Sequence, residues 1–365
     1  MLKKDLLFRA TLVLAFFFVL FVCLARAQGF LKPVAFAAIF AMLLQPVCRW
    51  LEQRMSRTWA SLLSVLLFVL VFGGLLALLS GQMADFAERL QQVGGQFTEM
   101  LDKYQKVVAE KFGISPEEQK KLLESGDSAM SGLKSMAQGF VMGLFGTMAD
   151  LFLTLVYMFL FLMYRTKFRR FIQKLTPDDA SDRTDKVITE GSKVAYQYLF
   201  GRLILIVILS VLYTVGLLVV GVQNAFFFAL LAAVVSIIPY IGNIVGGGLP
   251  LATALISGDS GQAIGVIAVF TVAQMLENYV LEPLVVGKRV ELNALFTIVI
   301  IVVGGSVWGV AGTILAIPYL AILKIIFDHV PPLHPYAYLI GDQSGGDSTD
   351  DAMQRVKDWF RKRFR

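Results

Sequence analysis

The sequence predicts an all-α polytopic membrane protein with about six full spans plus two re-entrant helical hairpins of opposite orientation. Three observations lead there. The 365 residues are 57% hydrophobic with a mean hydropathy of +0.69, whereas soluble domains have about 45–50% apolar residues. Several uncharged runs exceed the roughly 18 residues that mark a membrane-crossing helix. Two further apolar stretches, 225–257 and 294–327, are too long to cross once and are broken near the middle by glycine, proline and polar residues.

Span 1 is expected at about 6–25, preceded by Lys3 and Lys4. It resembles a signal peptide, with Ala25-Arg26-Ala27 as a small-x-small site, but a second span follows almost at once and an uncleaved signal-anchor is expected. A turn from Arg26 to Gly29 leads to span 2, about 30–48, and Arg49, Arg54 and Arg57 make a basic loop before span 3, about 58–80. Positive-inside logic puts residues 1–5 and 49–57 in the cytoplasm. Residues 1–81 are thus a scaffold of transmembrane hairpins.

Residues 82–138 form a polar insert on the outer side, with nine acids and seven bases. Phe86, Leu90, Val93, Phe97, Leu101, Tyr104 and Val108 recur at spacings of three and four, an amphipathic helix. Ser115-Pro116-Glu117-Glu118 reads as a second helix start.

The transport region is expected at 139–340. Span 4, about 139–164, leads to a basic cytoplasmic loop, 165–202, with nine bases and five acids. In it, Thr176-Pro177-Asp178-Asp179 starts a helix read as lying along the membrane surface. Span 5 is about 203–221.

The stretch 225–257 then has 33 residues without a charge, about 50 Å as one helix against roughly 30 Å of hydrocarbon. Pro239 lacks an N–H, Gly242, Asn243 and Gly246-Gly247-Gly248 surround it, and Pro250 follows. Two half-length helices with their turn at Pro239–Asn243 fit better. Span 6, about 262–285, carries the acids Glu277 and Glu282. The stretch 294–327 repeats the pattern around Gly304-Gly305-Ser306-Val307-Trp308-Gly309, then Gly312 and Pro318.

If both stretches are hairpins, Asp259 falls outside and Lys288/Arg289 inside, as the positive-inside rule requires. The termini are then both cytoplasmic. The tail, 341–365, is a Gly/Ser/Asp linker followed by Val356, Trp359, Phe360 and Phe364 among six Lys/Arg residues. It reads as either an interfacial helix on anionic lipid or a solvated basic tail.

Several functions are excluded by composition. The net charge of +6 comes from bases flanking apolar runs, so no nucleic-acid partner is implied. Cys23 and Cys48 have no CxxC spacing and suggest neither disulfides nor a metal. Gly246-Gly247-Gly248 has no lysine after it and is not a phosphate loop. No catalytic set occurs, so an enzyme and a cofactor are not expected.

The sharpest residue is Glu277. Gln274, Glu277, Asn278 and Leu281 share one helix face, and an intramembrane carboxylate usually faces a cavity or a partner. It reads either as a solute or protonation site or as a structural hydrogen bond to a hairpin tip. Glu282 reads as an ion pair with Lys288 or Arg289. Pro239, Gly242 and Asn243 at one tip, and Gly305 and Ser306 at the other, are the remaining candidate contacts. Half-helix ends there would add backbone dipoles.

Ile238-Pro239-Tyr240-Ile241-Gly242 with Pro250, then Gln274-x-x-Glu277-Asn278, Glu282-Pro283 and Gly287, then Gly309-x-x-Gly312 and Pro318, resemble the autoinducer-2 exporter family, also called PerM-like permeases. Leu292-Asn293-Ala294 departs from the proline common near this position in that family. The resemblance implies a bacterial inner-membrane homopentamer whose two hairpins per subunit carry elevator-type transport. It implies either export of a small polar solute like autoinducer-2 or sodium/proton (monovalent cation) antiport. One strong carboxylate and no Asp-Asp pair favour the polar solute. A non-transporting membrane scaffold is the reading from another class.

Overall fold

The computed structural model describes residues 2–79, 81, 148–177, 181–237, 241–256, 260–285 and 292–342. The polar insert 82–138, the expected bend residues Ile238, Pro239 and Tyr240, Lys288, Arg289 and the basic tail lie outside the described residues.

All regular structure among the described residues is helical, apart from one isolated bridge between Leu292 and Gly341. In chain order the helices are α1 (Leu2–Arg26), α2 (Gln28–Glu52), α3 (Arg57–Leu79), α4 (Met148–Leu175), α5 (Ser181–Val219), α6 (Ala225–Val235), α7 (Ile241–Ile256), α8 (Ser260–Val285), α9 (Ala294–Trp308), α10 (Val310–His329) and α11 (His334–Ile340). Six are long and apolar enough to cross a membrane: α2, α3, α4, α5, α8 and α10. The predicted spans 2 to 6 are among them. The sixth is α10, which the sequence reads as half of a hairpin.

The basic stretch 165–202 differs from its reading as a loop with a surface helix. α4 runs on to Leu175, and α5 is one helix of 39 residues, about 58 Å long. Charge does not stop a helix that has left the membrane. Arg169 and Gln173 on α4 both donate to Asp185 on α5, at 3.1 and 2.6 Å. α4 ends where Thr176 turns its hydroxyl back onto Gln173 O at 2.9 Å and Pro177 cannot extend the ladder.

The chain divides into two compact units. One comprises Met1–Val65, Phe145–Phe200 and Val286–Arg365; the other comprises Leu66–Leu144 and Gly201–Val285. In the first unit, Glu52 at the end of α2 pairs with Arg165 on α4 and with Arg57 on α3, the latter at 3.4 Å. Arg57 also donates to Thr166 at 3.0 Å. These contacts tie three helices together at one end.

The same unit holds the second hairpin, α9 packed on α10. Gly309 reverses the chain with φ +61° and ψ −139°. A Cβ on Gly312 would overlap the carbonyl of Gly304, so the arms touch backbone to backbone. Asn293 caps α9 by accepting the Leu295 N–H at 2.9 Å. Trp308 Nε1 donates to Leu24 O, and Tyr319 OH donates to Ala35 O, both at 2.9 Å. The bend therefore sits level with the last turn of α1.

The second unit is built around α6. Nine of its eleven residues are buried: Ala225, Phe227, Phe228, Ala229, Leu230, Leu231, Ala232, Ala233 and Val235. A helix apolar on every face belongs inside protein. α7 folds back along it, and a Cβ on Gly246 would strike Ala232. α6 and α7, with 11 and 16 residues, are about 16 and 24 Å long. They are two half-length helices packed on each other, here called the first hairpin, and the bend itself at Ile238, Pro239 and Tyr240 lies outside the described residues.

Candidate functional site

Two lone charges in apolar sequence meet inside the second unit. Arg202 is the one charged residue between Lys193 and Asp259, and Glu277 is the first after Asp259. α5 and α8 run antiparallel, with Gln262 donating to Gly221 O at 2.8 Å. Tyr213 stacks on Phe270 at 4.6 Å. Gly216 and Gly265 let the helices close: a Cβ at either would meet Val269 or Val220 at 2.6 Å. This register carries Arg202 to the level of Glu277 and Glu282. Arg202 Nη1 lies 3.7 Å from Glu277 Oε1, and Nη2 lies 3.3 Å from Glu282 Oε1.

Arg202 and Glu277 are 7% and 5% exposed, so neither charge is solvated by bulk water. The helix is altered where the two acids sit. Residues Glu277–Leu281 form a π-turn, closed by Glu282 N–H donating to Glu277 O. In an α-helix, side chains five residues apart point about 140° away from each other. The wider i→i+5 repeat brings them to nearly the same side, where one guanidinium reaches both. Glu277 Oε2 is buried and has no hydrogen-bond partner among the described residues.

The first hairpin lies beside this set. Gly247 on α7 faces the Phe270 ring, where a Cβ would sit 3.1 Å away. Glu277 is about 10 Å further along α8, and Ile241 about 9 Å back along α7. The buried carboxylate is therefore level with the first residues of α7.

The predicted contacts divide. Gly242 is in place at the start of α7 and has a packing role, since a Cβ there would overlap the backbone of Ser236. Asn243 is in the first turn of α7, with its side chain outside the described residues, as is Pro239. Gln274 donates to Asn278 at 2.7 Å, and Asn278 is exposed while Glu277 is buried, so the three polar groups do not act as one face. Gly305 and Ser306 are on α9 in the other unit. Ser306 is exposed and its hydroxyl donates to Val302 O at 2.9 Å.

Glu282 pairs with Arg202 from the basic stretch 165–202, while its expected partners Lys288 and Arg289 lie outside the described residues. The signal for Arg202 was available: it is a single charge in a long apolar run, the same mark that singled out Glu277.

The sequence profile of the AI-2E family transporter matches residues 11–331. The chain is 29% identical over 316 residues to "Putative transport protein YueF" of Bacillus subtilis, covering 81% of this chain and 82% of that one. It is 26% identical to "Putative transport protein MT0215" of Mycobacterium tuberculosis, covering 86% of each. It is 24% identical to "Putative transport protein YhhT" of Escherichia coli, covering 86% of this chain and 89% of that one.

Proposed function

Since the chain belongs to the AI-2E transporter family, we propose that it is a secondary transporter that exports a small polar solute resembling autoinducer-2. Family membership and six membrane-long apolar helices make it a multi-pass membrane transport protein. The cargo reading rests on one observation, the pairing of Arg202 with the buried Glu277 and with Glu282. A cation exchanger needs a carboxylate free to trade a proton for its cargo. Here a guanidinium already faces Glu277, so the group offsets its charge inside the protein. That suits a site for an uncharged polar solute.

Broken helices support the same reading, because discontinuous helices with polar tips are the usual sites of secondary transporters. Gly242, Asn243 and Pro239 at the first tip, with Gln274 and Asn278 on α8, are the proposed further contacts in the second unit; Gly305 and Ser306 are proposed contacts of the first unit taken by itself. Elevator-type motion, a homopentamer and a bacterial inner-membrane location with cytoplasmic termini belong to the proposal through the family resemblance. Anionic lipid at the basic tail belongs to it as well.

Proteoliposome flux tests it. Labelled autoinducer-2 and labelled erythritol, a neutral polyol, are measured with and without a sodium or proton gradient. Saturable solute flux supports the proposal. Gradient dissipation without solute flux would make the protein a monovalent cation/proton antiporter. Folded protein with no flux in any condition would point to a scaffold.

A further inference from the structure

We propose that Arg202 and the π-turn of α8 together position the Glu277 carboxylate so that Oε2 accepts a hydrogen bond from the solute, which makes the site select uncharged hydroxylated solutes over anionic ones. The inference rests on the solute-export reading and names the solute class for that site. Glu277 Oε1 faces the guanidinium at 3.7 Å, while Oε2 is buried without a partner among the described residues. A carboxylate only accepts hydrogen bonds. Leaving such an oxygen buried and unsatisfied is costly, so the group that completes it must bring a donor.

A solute hydroxyl brings one. A solute carboxylate or phosphate brings only acceptors and negative charge, and among the described residues two acids, Glu277 and Glu282, already face the Arg202 guanidinium. The arrangement depends on geometry that an ordinary α-helix lacks, because the i→i+5 turn sets both acids toward the same guanidinium. Glu282 serves as the second anchor. Its side chain is 44% exposed, while that of Arg202 is 9% exposed, so the arginine is held from the wetter side and delivers its other nitrogen to the buried carboxylate. Arg202 is thus a positioning residue, and Glu277 is the contact.

The test is proteoliposome uptake of erythritol and of erythronate, which has the same carbon chain ending in a carboxylate. The wild type is expected to favour erythritol at least tenfold. Glu282→Gln loosens the anchor and is expected to raise KM for erythritol several-fold with maximal rate kept. Arg202→Gln/Glu277→Gln removes both buried charges together, which protects folding, and is expected to erase the preference. Arg202→Lys keeps the charge without the fork and is expected to fall between wild type and that double variant.

Unchanged KM in Glu282→Gln, or a full erythritol preference in the double variant, would overturn the inference while leaving solute export standing. A wild-type protein that moves neither probe nor autoinducer-2 sinks the export reading itself. Thermal unfolding in detergent, read alongside, separates loss of fold from loss of selectivity.

Discussion

The two hairpins come from the same kind of sequence and differ in the length and burial of their arms. Each begins as an oversized apolar stretch with a glycine-rich centre. The first becomes arms of 11 and 16 residues, and neither is long enough to cross roughly 30 Å of hydrocarbon. The second becomes arms of 15 and 20 residues, and α10 at about 30 Å is long enough. The first is sheathed by protein along α6. In the second, among the described residues, α9 buries only Ile301 while α10 buries ten residues. A break in the middle of an apolar run therefore fixes that the chain turns. It does not fix how long the arms are or how far they are buried, which depends on what they pack against.

The largest expected effect tests whether close backbone approach is what holds each hairpin shut. In the second hairpin a Cβ on Gly312 meets the Gly304 carbonyl, and in the first a Cβ on Gly242 meets the Ser236 backbone. Backbone cannot swing aside as a side chain can. Gly312→Ala should therefore cost about 3 kcal/mol, the upper end for overpacking. Gly242→Ala should cost about 2 kcal/mol, because it lies nearer its hairpin's bend and has more room to relax. Thermal unfolding in detergent reads both. If Gly312→Ala were as stable as wild type, the arms would not be in contact there and the comparison would fail.

Next comes the bend of the second hairpin. A Cβ on Gly309 would meet nothing within 4 Å, so crowding is not its constraint. Its φ of +61° with ψ of −139° is a conformation that residues with side chains rarely hold. Gly309→Ala should cost about 1–3 kcal/mol from backbone strain alone. Gly309→Asn should be no better, since asparagine favours left-handed helical ψ values instead. An asparagine that rescued alanine would show a different turn.

Much of this was legible in the sequence, for physical reasons that can be named. The breaks were visible because Pro239, Gly242, Gly304 and Gly309 interrupt runs that nothing else interrupts. Arm lengths were not, because a uniformly apolar helix has no periodicity to mark its ends. Glu277 stood out as a charge in an apolar span. Arg202 carries the same mark, but its place at the edge of the basic stretch 165–202 groups it with the loop charges. The π-turn had no signal in a single sequence, since it answers to the partner across the helix pair.

A smaller effect tests what anchors the second hairpin. The Trp308 indole donates to Leu24 O at 2.9 Å, near the end of α1 where carbonyls lack helical partners. Trp308→Phe keeps most of the apolar bulk and removes the donor, and should cost about 1 kcal/mol. Tyr319→Phe, which removes the hydroxyl bonded to Ala35 O, should cost a similar ~1 kcal/mol. Combined, the two should add, because they anchor α9 and α10 to different helices. Neither substitution mattering would detach the bend from the level of the α1–α2 turn.

The smallest expected effect lies at the mouth of the first hairpin. Asn224 precedes α6 with φ +56° and ψ +31°, and its side chain makes no cap hydrogen bond. It is the one non-glycine residue with positive φ among the described residues. Where the second hairpin uses a positive φ to turn its tip, the first uses one to enter. Asparagine tolerates this left-handed backbone, and alanine does so at roughly 1–2 kcal/mol. Glycine relieves the strain but has more freedom to lose on folding. Asn224→Gly should thus shift stability by no more than about 0.5 kcal/mol, and Asn224→Ala should cost about 1 kcal/mol. If glycine proved as damaging as alanine, the asparagine side chain rather than its backbone would be setting how the chain enters the hairpin.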